Sequence, residues 1–275
     1  MTIVLVYLVI AIVLERVQLL IGRNSYHSIY NGFGAIDSVA ERKADAPMSY
    51  RVLVPIIVYW TKKLIPTRPL SYIYEPIKVL SIFALLVVSH YVIGVTATLI
   101  FSVLVVSTFY FDYWDWVFEC IGIVCALSGD PMIFMIGALL WALSKETAML
   151  SPFIFLAVTQ NLTVFLGGLI LVIVVMFAVR QWVGKRKLYC ERFMFRKNIS
   201  DLQLFFNSHP FYLSEIAMAV MITILSIAAF AFNPQWYGLY VFAFLGAGWT
   251  MARAAESRVF AGNLIFIAMT LSKFM

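Results

Sequence analysis

Three carboxylates, Asp37, Glu41 and Asp45, stand four residues apart in the stretch GAIDSVAERKADAP. On a helix this spacing lines them along one face. A carboxylate at a membrane mouth can act as a general base or hold a divalent cation. Ser38 and Glu41 have the Ser-x-x-Glu form of a capping box, and Pro47 ends the stretch. The pattern predicts a short helix on a membrane surface, with Ile36, Val39 and Ala40 as its apolar stripe.

A second acidic run follows at FDYWDWVFE, where Asp112, Asp115 and Glu119 are spaced to share one side of a helix. The aromatic residues between them fit a membrane–water interface. Single cations lie nearby in the reading. Arg51 opens an apolar segment, at a position suited to a lipid phosphate or the loop acids. Lys145 and Glu146 interrupt the apolar stretch 131–157. Lys145 is a candidate phosphate ligand, and Glu146 a candidate partner for Arg51 or Arg253. Arg253 and Glu256 are close enough on a helix to pair locally.

These residues stand out because charge is scarce. Only 12% of the 275 residues are Asp, Glu, Lys or Arg, while 63% are hydrophobic. Mean hydropathy is +0.93. Such a chain lacks the polar residues to coat a soluble core. The apolar runs are continuous, as in Thr163–Val179 and Ile216–Phe232, and lack the alternation of barrel strands. The expected fold is an all-α polytopic transmembrane helix bundle, with one domain over 1–275. Apolar segments fall at 2–21, 52–65, 77–93, 95–111, 117–128, 131–143, 147–159, 162–180, 211–232, 236–251 and 259–272. A crossing takes about 20 residues, so the shorter ones read as tilted or half-membrane helices, and 8–11 helices are expected. The first segment has no basic n-region or cleavage site and reads as a retained span.

The net charge of +6 does not point to nucleic acid. Seven of the 20 basic residues lie between Arg180 and Lys197, with Glu191 the sole acid among them. The positive-inside tendency makes 181–210 a basic cytoplasmic loop, and Lys62, Lys63 and Arg68 favour the cytoplasm for the loop after 52–65. If 52–65 crosses, loop 22–51 faces outside. Cys120, Cys125 and Cys190 form no CxxC pair, and His27, His90 and His209 are scattered, so neither a disulfide framework nor a His-based metal site is expected.

The order of these motifs is itself a signal. Asp37 in the first loop, YRVLVP at 50–55, the acidic run at 112–119, SKET at 144–147 and ESRVF at 256–260 together resemble bacterial integral membrane proteins related to the GT-C glycosyltransferase superfamily. The resemblance runs from about Asp37 to Phe260. It implies a GT-C-like bundle in the plasma (inner) membrane and transfer of a sugar from a polyprenyl-phosphate donor on the outer face. Asp37, with Glu41 second, would be the catalytic base. Arg51, Lys145 and Arg258 would bind the phosphate, aided by a divalent cation such as Mg or Mn. Asp112, Asp115 and Glu119 would form the second acidic group. This chain has no adjacent acidic pair in the first loop. The model requires the two acidic groups to share a face, which holds if 52–65 crosses once and 77–111 makes one net crossing. Rival classes are a transporter or flippase of a lipid-linked or small polar substrate, whose two related halves are not visible here, and a non-catalytic assembly subunit.

Overall fold

The computed structural model describes residues 2–21, 36–44, 51–105, 115–184, 195–206, 210–250 and 260–275. Asp45, Asp112, Cys190, Arg253, Glu256, Arg258, His27 and His209 lie outside them. Among the described residues the regular structure is helical. In chain order the helices are α1 (Thr2–Ile21), α2 (Ile36–Ala40), α3 (Leu53–Leu64), α4 (Ser71–Ile93), α5 (Val95–Leu104), α6 (Asp115–Leu127) and α7 (Pro131–Ser144). They continue with α8 (Ser151–Thr159), α9 (Leu162–Val183), α10 (Phe195–Phe206), α11 (Pro210–Phe232), α12 (Tyr240–Thr250) and α13 (Ala261–Leu271). Each apolar segment of the sequence carries a helix. By length and composition α1, α4 and α9 can each cross a membrane. The stretch 181–210, expected as a loop, contains α10.

The helices gather into two compact units. One comprises Met1–Val92 with Phe111–Tyr189, the other Ile93–Tyr110 with Cys190–Met275. In the first unit α6, α7, α8 and α9 run up and down beside one another. Their turns carry local signals. Asp130 caps α7 by accepting a hydrogen bond from Ile133 N at 2.9 Å, with Pro131 in the first turn. Asn161 caps α9 in the same way through Val164 N at 3.1 Å. Close packing follows from small residues. A Cβ on Gly122 would lie 2.5 Å from the Trp141 ring, and Gly137 sits directly on Cys125. The α6–α7 turn at Gly129 lies against Val158 and Thr159 of α8. The opposite end of this bundle therefore gathers the start of α6, the end of α7 and the end of α9.

Helix α3 belongs to that end. Val52 packs with Val179 and Val183 of α9, and its N–H donates to Leu143 O at 3.1 Å. Arg42, just after α2, donates to Trp182 O at 3.5 Å and lies 5.5 Å over the Trp182 ring. The charge of Lys63 acts on Glu41. Both ends of α3 are thus held near the same short segment, 41–43, and the end of α9. With 12 residues α3 is about 18 Å long, and it lies along this end of the unit. Its chemistry agrees: Trp60, Ile57 and Leu64 are exposed, and Lys63 sits over the rings of Tyr59 and Trp60. The described part of loop 22–51, at Arg42, thus lies at the same end of this unit as the start of the basic stretch at Arg180.

In the second unit α13 is the core. It packs against α5 and α11 and buries every residue from Ala261 to Ala268. Helix α10 joins α11 and α12 through Asn198, whose amide donates to Trp249 O at 2.8 Å, while Trp249 Nε1 donates to Thr223 Oγ1 at 3.1 Å.

Candidate functional site

Two acids and two bases of the first unit converge where α3, α6 and α7 meet. Asp115 opens α6, and Glu119 follows one turn later on the same face. Both are buried. Arg51, just before α3, donates from Nη1 to Asp115 Oδ2 at 2.8 Å, and the two side chains are 11% and 2% exposed. Lys145, at the end of α7, lies 2.5 Å from Glu119 Oε2. The hydroxyl of Thr147 donates to the same oxygen at 2.9 Å, and Trp141 Nε1 donates to Thr147 Oγ1 at 3.1 Å. Glu119 Oε1 is buried without a hydrogen-bond partner. The charges of Lys145 and Glu146 also act on Asp115. The two cation–carboxylate pairs thus form one connected buried centre drawn from three helices and a 3-10 turn at Glu146–Leu150.

The physical logic is compensation. An ionised group taken out of water is costly unless it is paired and hydrogen-bonded. Two cations meet two carboxylates, so the centre is formally neutral. A narrow crevice beside it is lined by Lys145, Glu146 and Arg180, with Ala142, Met176 and Val179. It brings the first cation of the basic stretch next to the SKET motif.

Of the expected site residues, Arg51, Asp115, Glu119 and Lys145 come together, and Glu146 stands at their edge. Asp37 and Glu41 do not join them. Asp37 is exposed on α2, whose buried residues Ile36 and Val39 face inward. The capping box does not form, because α2 begins at Ile36 and Ser38 lies within it. Glu41 is instead bound by Lys43 at 2.6 Å, and this ammonium holds the exposed Glu41 carboxyl below its ordinary range. Arg51 binds Asp115 and not the loop acids Asp37 or Glu41. The proposed partners Arg253, Glu256 and Arg258 lie outside the described residues.

A second polar group escaped the sequence reading. Glu15 and Arg16 of α1 meet Glu75 and Lys78 of α4. Arg16 reaches Glu15 at 3.5 Å and Glu75 at 3.3 Å. Further along the same antiparallel pair, Tyr7 OH and His90 Nδ1 are 3.0 Å apart. The signal was present: ionised residues inside long apolar runs are conspicuous by cost.

No protein-family model matches this chain, and no curated protein or solved structure matches it either.

Proposed function

We propose that the chain is a multi-pass membrane protein that binds a polyprenyl-phosphate-linked sugar at the Arg51–Asp115–Glu119–Lys145 centre and transfers the sugar to an acceptor. The supporting observation is the meeting of two cations and two carboxylates at one end of an apolar bundle, beside a crevice lined by two further charged residues, Glu146 and Arg180. A phosphodiester bears the charge that Arg51 and Lys145 can hold, and in binding it displaces Asp115 and Glu119 from them. The motif order resembling GT-C enzymes supplies the reaction type. Asp37, exposed to water at the same end, takes the proton from the acceptor hydroxyl as its oxygen attacks the anomeric carbon. The leaving polyprenyl phosphate stays on the cations.

We assign this end to the cytoplasmic side, where the resemblance implies the outer face. The supporting observation is that Arg42, Lys43, Arg51, Lys62, Lys63 and Arg180 gather there, a concentration that the positive-inside tendency favours on the cytoplasmic face. The same observation favours a second reading, a flippase that loads a lipid-linked substrate from the cytoplasmic leaflet.

The test is incubation of the purified protein with a panel of polyprenyl-phosphate sugars, comparing the wild type with Asp37→Asn and Arg51→Gln. Transfer by the wild type that is lost in both variants supports the enzyme. No transfer from any donor discards it. In that case, movement of a fluorescent polyprenyl-phosphate sugar across proteoliposomes, abolished by Arg51→Gln, supports the flippase.

A further inference from the structure

Helices α1 and α4 are both long and apolar enough to cross a membrane. Between them lies an open groove of about 700 Å³, lined by Ile12, Arg16, Ser71, Tyr72, Glu75, Pro76, Val79 and Leu80. Its chemistry is graded. The polar residues Arg16, Ser71, Tyr72 and Glu75 stand toward the end of α1 and the start of α4. Ile12, Pro76, Val79 and Leu80 stand deeper along the same two helices. Tyr72 and Leu80 are strongly exposed. A lipid with its head at the interface and its chain toward the bilayer centre has the same gradient.

The polar end discriminates among headgroups. It offers one guanidinium and one carboxylate 3.3 Å apart, Arg16 and Glu75. Behind them Glu15 is 0% exposed, with Arg16 Nε 3.5 Å from its Oε2 and the charge of Lys78 acting on it, and neither of its carboxylate oxygens accepts a hydrogen bond. A carboxylate side with no hydrogen-bond donor in place favours a ligand that brings an N–H group. We propose that this groove is a binding site for a zwitterionic phospholipid carrying a primary ammonium, as in phosphatidylethanolamine. The phosphate takes the Arg16 guanidinium, with Ser71 and Tyr72 as further hydroxyl donors. The ammonium replaces that guanidinium at Glu75 and brings three N–H donors to the acidic side of the site. A choline headgroup has the same charge and no N–H, so it leaves the carboxylates unserved. An anionic glycerol headgroup satisfies Arg16 and brings no ammonium to replace that guanidinium at Glu75. The inference rests on the membrane reading above, though not on sugar transfer.

The experiment is native mass spectrometry of the full chain, released from detergent after incubation with an equimolar mixture of phosphatidylethanolamine, phosphatidylcholine and phosphatidylglycerol. Phosphatidylethanolamine adducts should exceed phosphatidylcholine adducts by about tenfold, the worth of one charge-assisted hydrogen bond. Glu75→Gln should collapse that preference. Leu80→Trp fills the apolar part of the groove from an exposed position, and it should lower adducts of all three lipids while leaving the protein folded. Equal binding of the ethanolamine and choline lipids overturns the proposal. So does a dominant phosphatidylglycerol adduct, or a preference unchanged in both variants. A failure of sugar transfer leaves this measurement untouched, so the two readings fall separately.

Discussion

Arg51 Nη1 donates to Asp115 Oδ2 at 2.8 Å across a separation of 64 residues, and the pair fixes the start of α3 on the start of α6. Both side chains are largely withdrawn from solvent. Removing one partner therefore strands the other. Arg51→Ala or Asp115→Ala should each destabilise the protein by about 3–5 kcal/mol. The double change Arg51→Leu with Asp115→Leu removes both charges of this pair together and should cost clearly less than the sum of the two single changes. Thermal unfolding in detergent, followed by tryptophan fluorescence, measures all three. Additive effects would mean that the two residues act independently.

Thr147 mediates the second pair. Its hydroxyl accepts from Trp141 Nε1 and donates to Glu119 Oε2. Thr147→Val keeps the shape of the side chain and deletes both bonds, leaving a buried indole N–H and weakening the hold on Glu119. The expected loss is about 1–3 kcal/mol. Thr147→Ser keeps the hydroxyl and should recover most of it. Equilibrium unfolding of the two variants in a denaturing detergent separates the outcomes.

Much of this architecture is legible in the sequence, and the failures have identifiable causes. The apolar runs locate helices because few charges interrupt them, and Asp115 and Glu119 declare a common face by their spacing. Segment 52–65 is ambiguous by pattern. It is apolar enough to resemble a span, yet Lys62 and Lys63 at its end and its short length fit a helix lying along the surface, and its packing on Val179 and Val183 of α9 is a contact that no local rule foretells. The partner of Arg51 was hidden for another reason. Asp115 lies far along the chain, and no local rule pairs residues across that separation. Glu15 and Lys78 each have a charged neighbour on their own helix, Arg16 and Glu75, and no local rule pairs α1 with α4. Their meaning emerges when α1 and α4 lie side by side.

Glycine packing gives a contrast within helices. Gly137 on α7 sits directly on Cys125 of α6, so an added methyl group must move one helix from the other. Gly137→Ala should cost about 1–3 kcal/mol as overpacking. Gly246 on α12 has open space around its Cβ position and is exposed. Gly246→Ala should stabilise by up to about 1 kcal/mol through helix propensity alone. Opposite shifts in the melting temperature are expected from the same chemical change.

Arg42 over the Trp182 ring carries the claim about sidedness. If the segment after α2, both ends of α3 and the end of α9 share one face, cysteines introduced there must react from one side of a sealed membrane. In a chain with its native cysteines replaced by serine, Glu41→Cys, Lys63→Cys and Trp182→Cys should all be labelled by an impermeant maleimide from the same compartment. Gln160→Cys, at the turn between α8 and α9, should be labelled from the other, because α9 is long enough to cross between them. On the proposed cytoplasmic placement of the basic residues beside the first three positions, inverted vesicles should expose them and intact spheroplasts should not. Labelling of Glu41→Cys and Trp182→Cys from opposite compartments would return α3 to a crossing helix and separate loop 22–51 from the basic stretch.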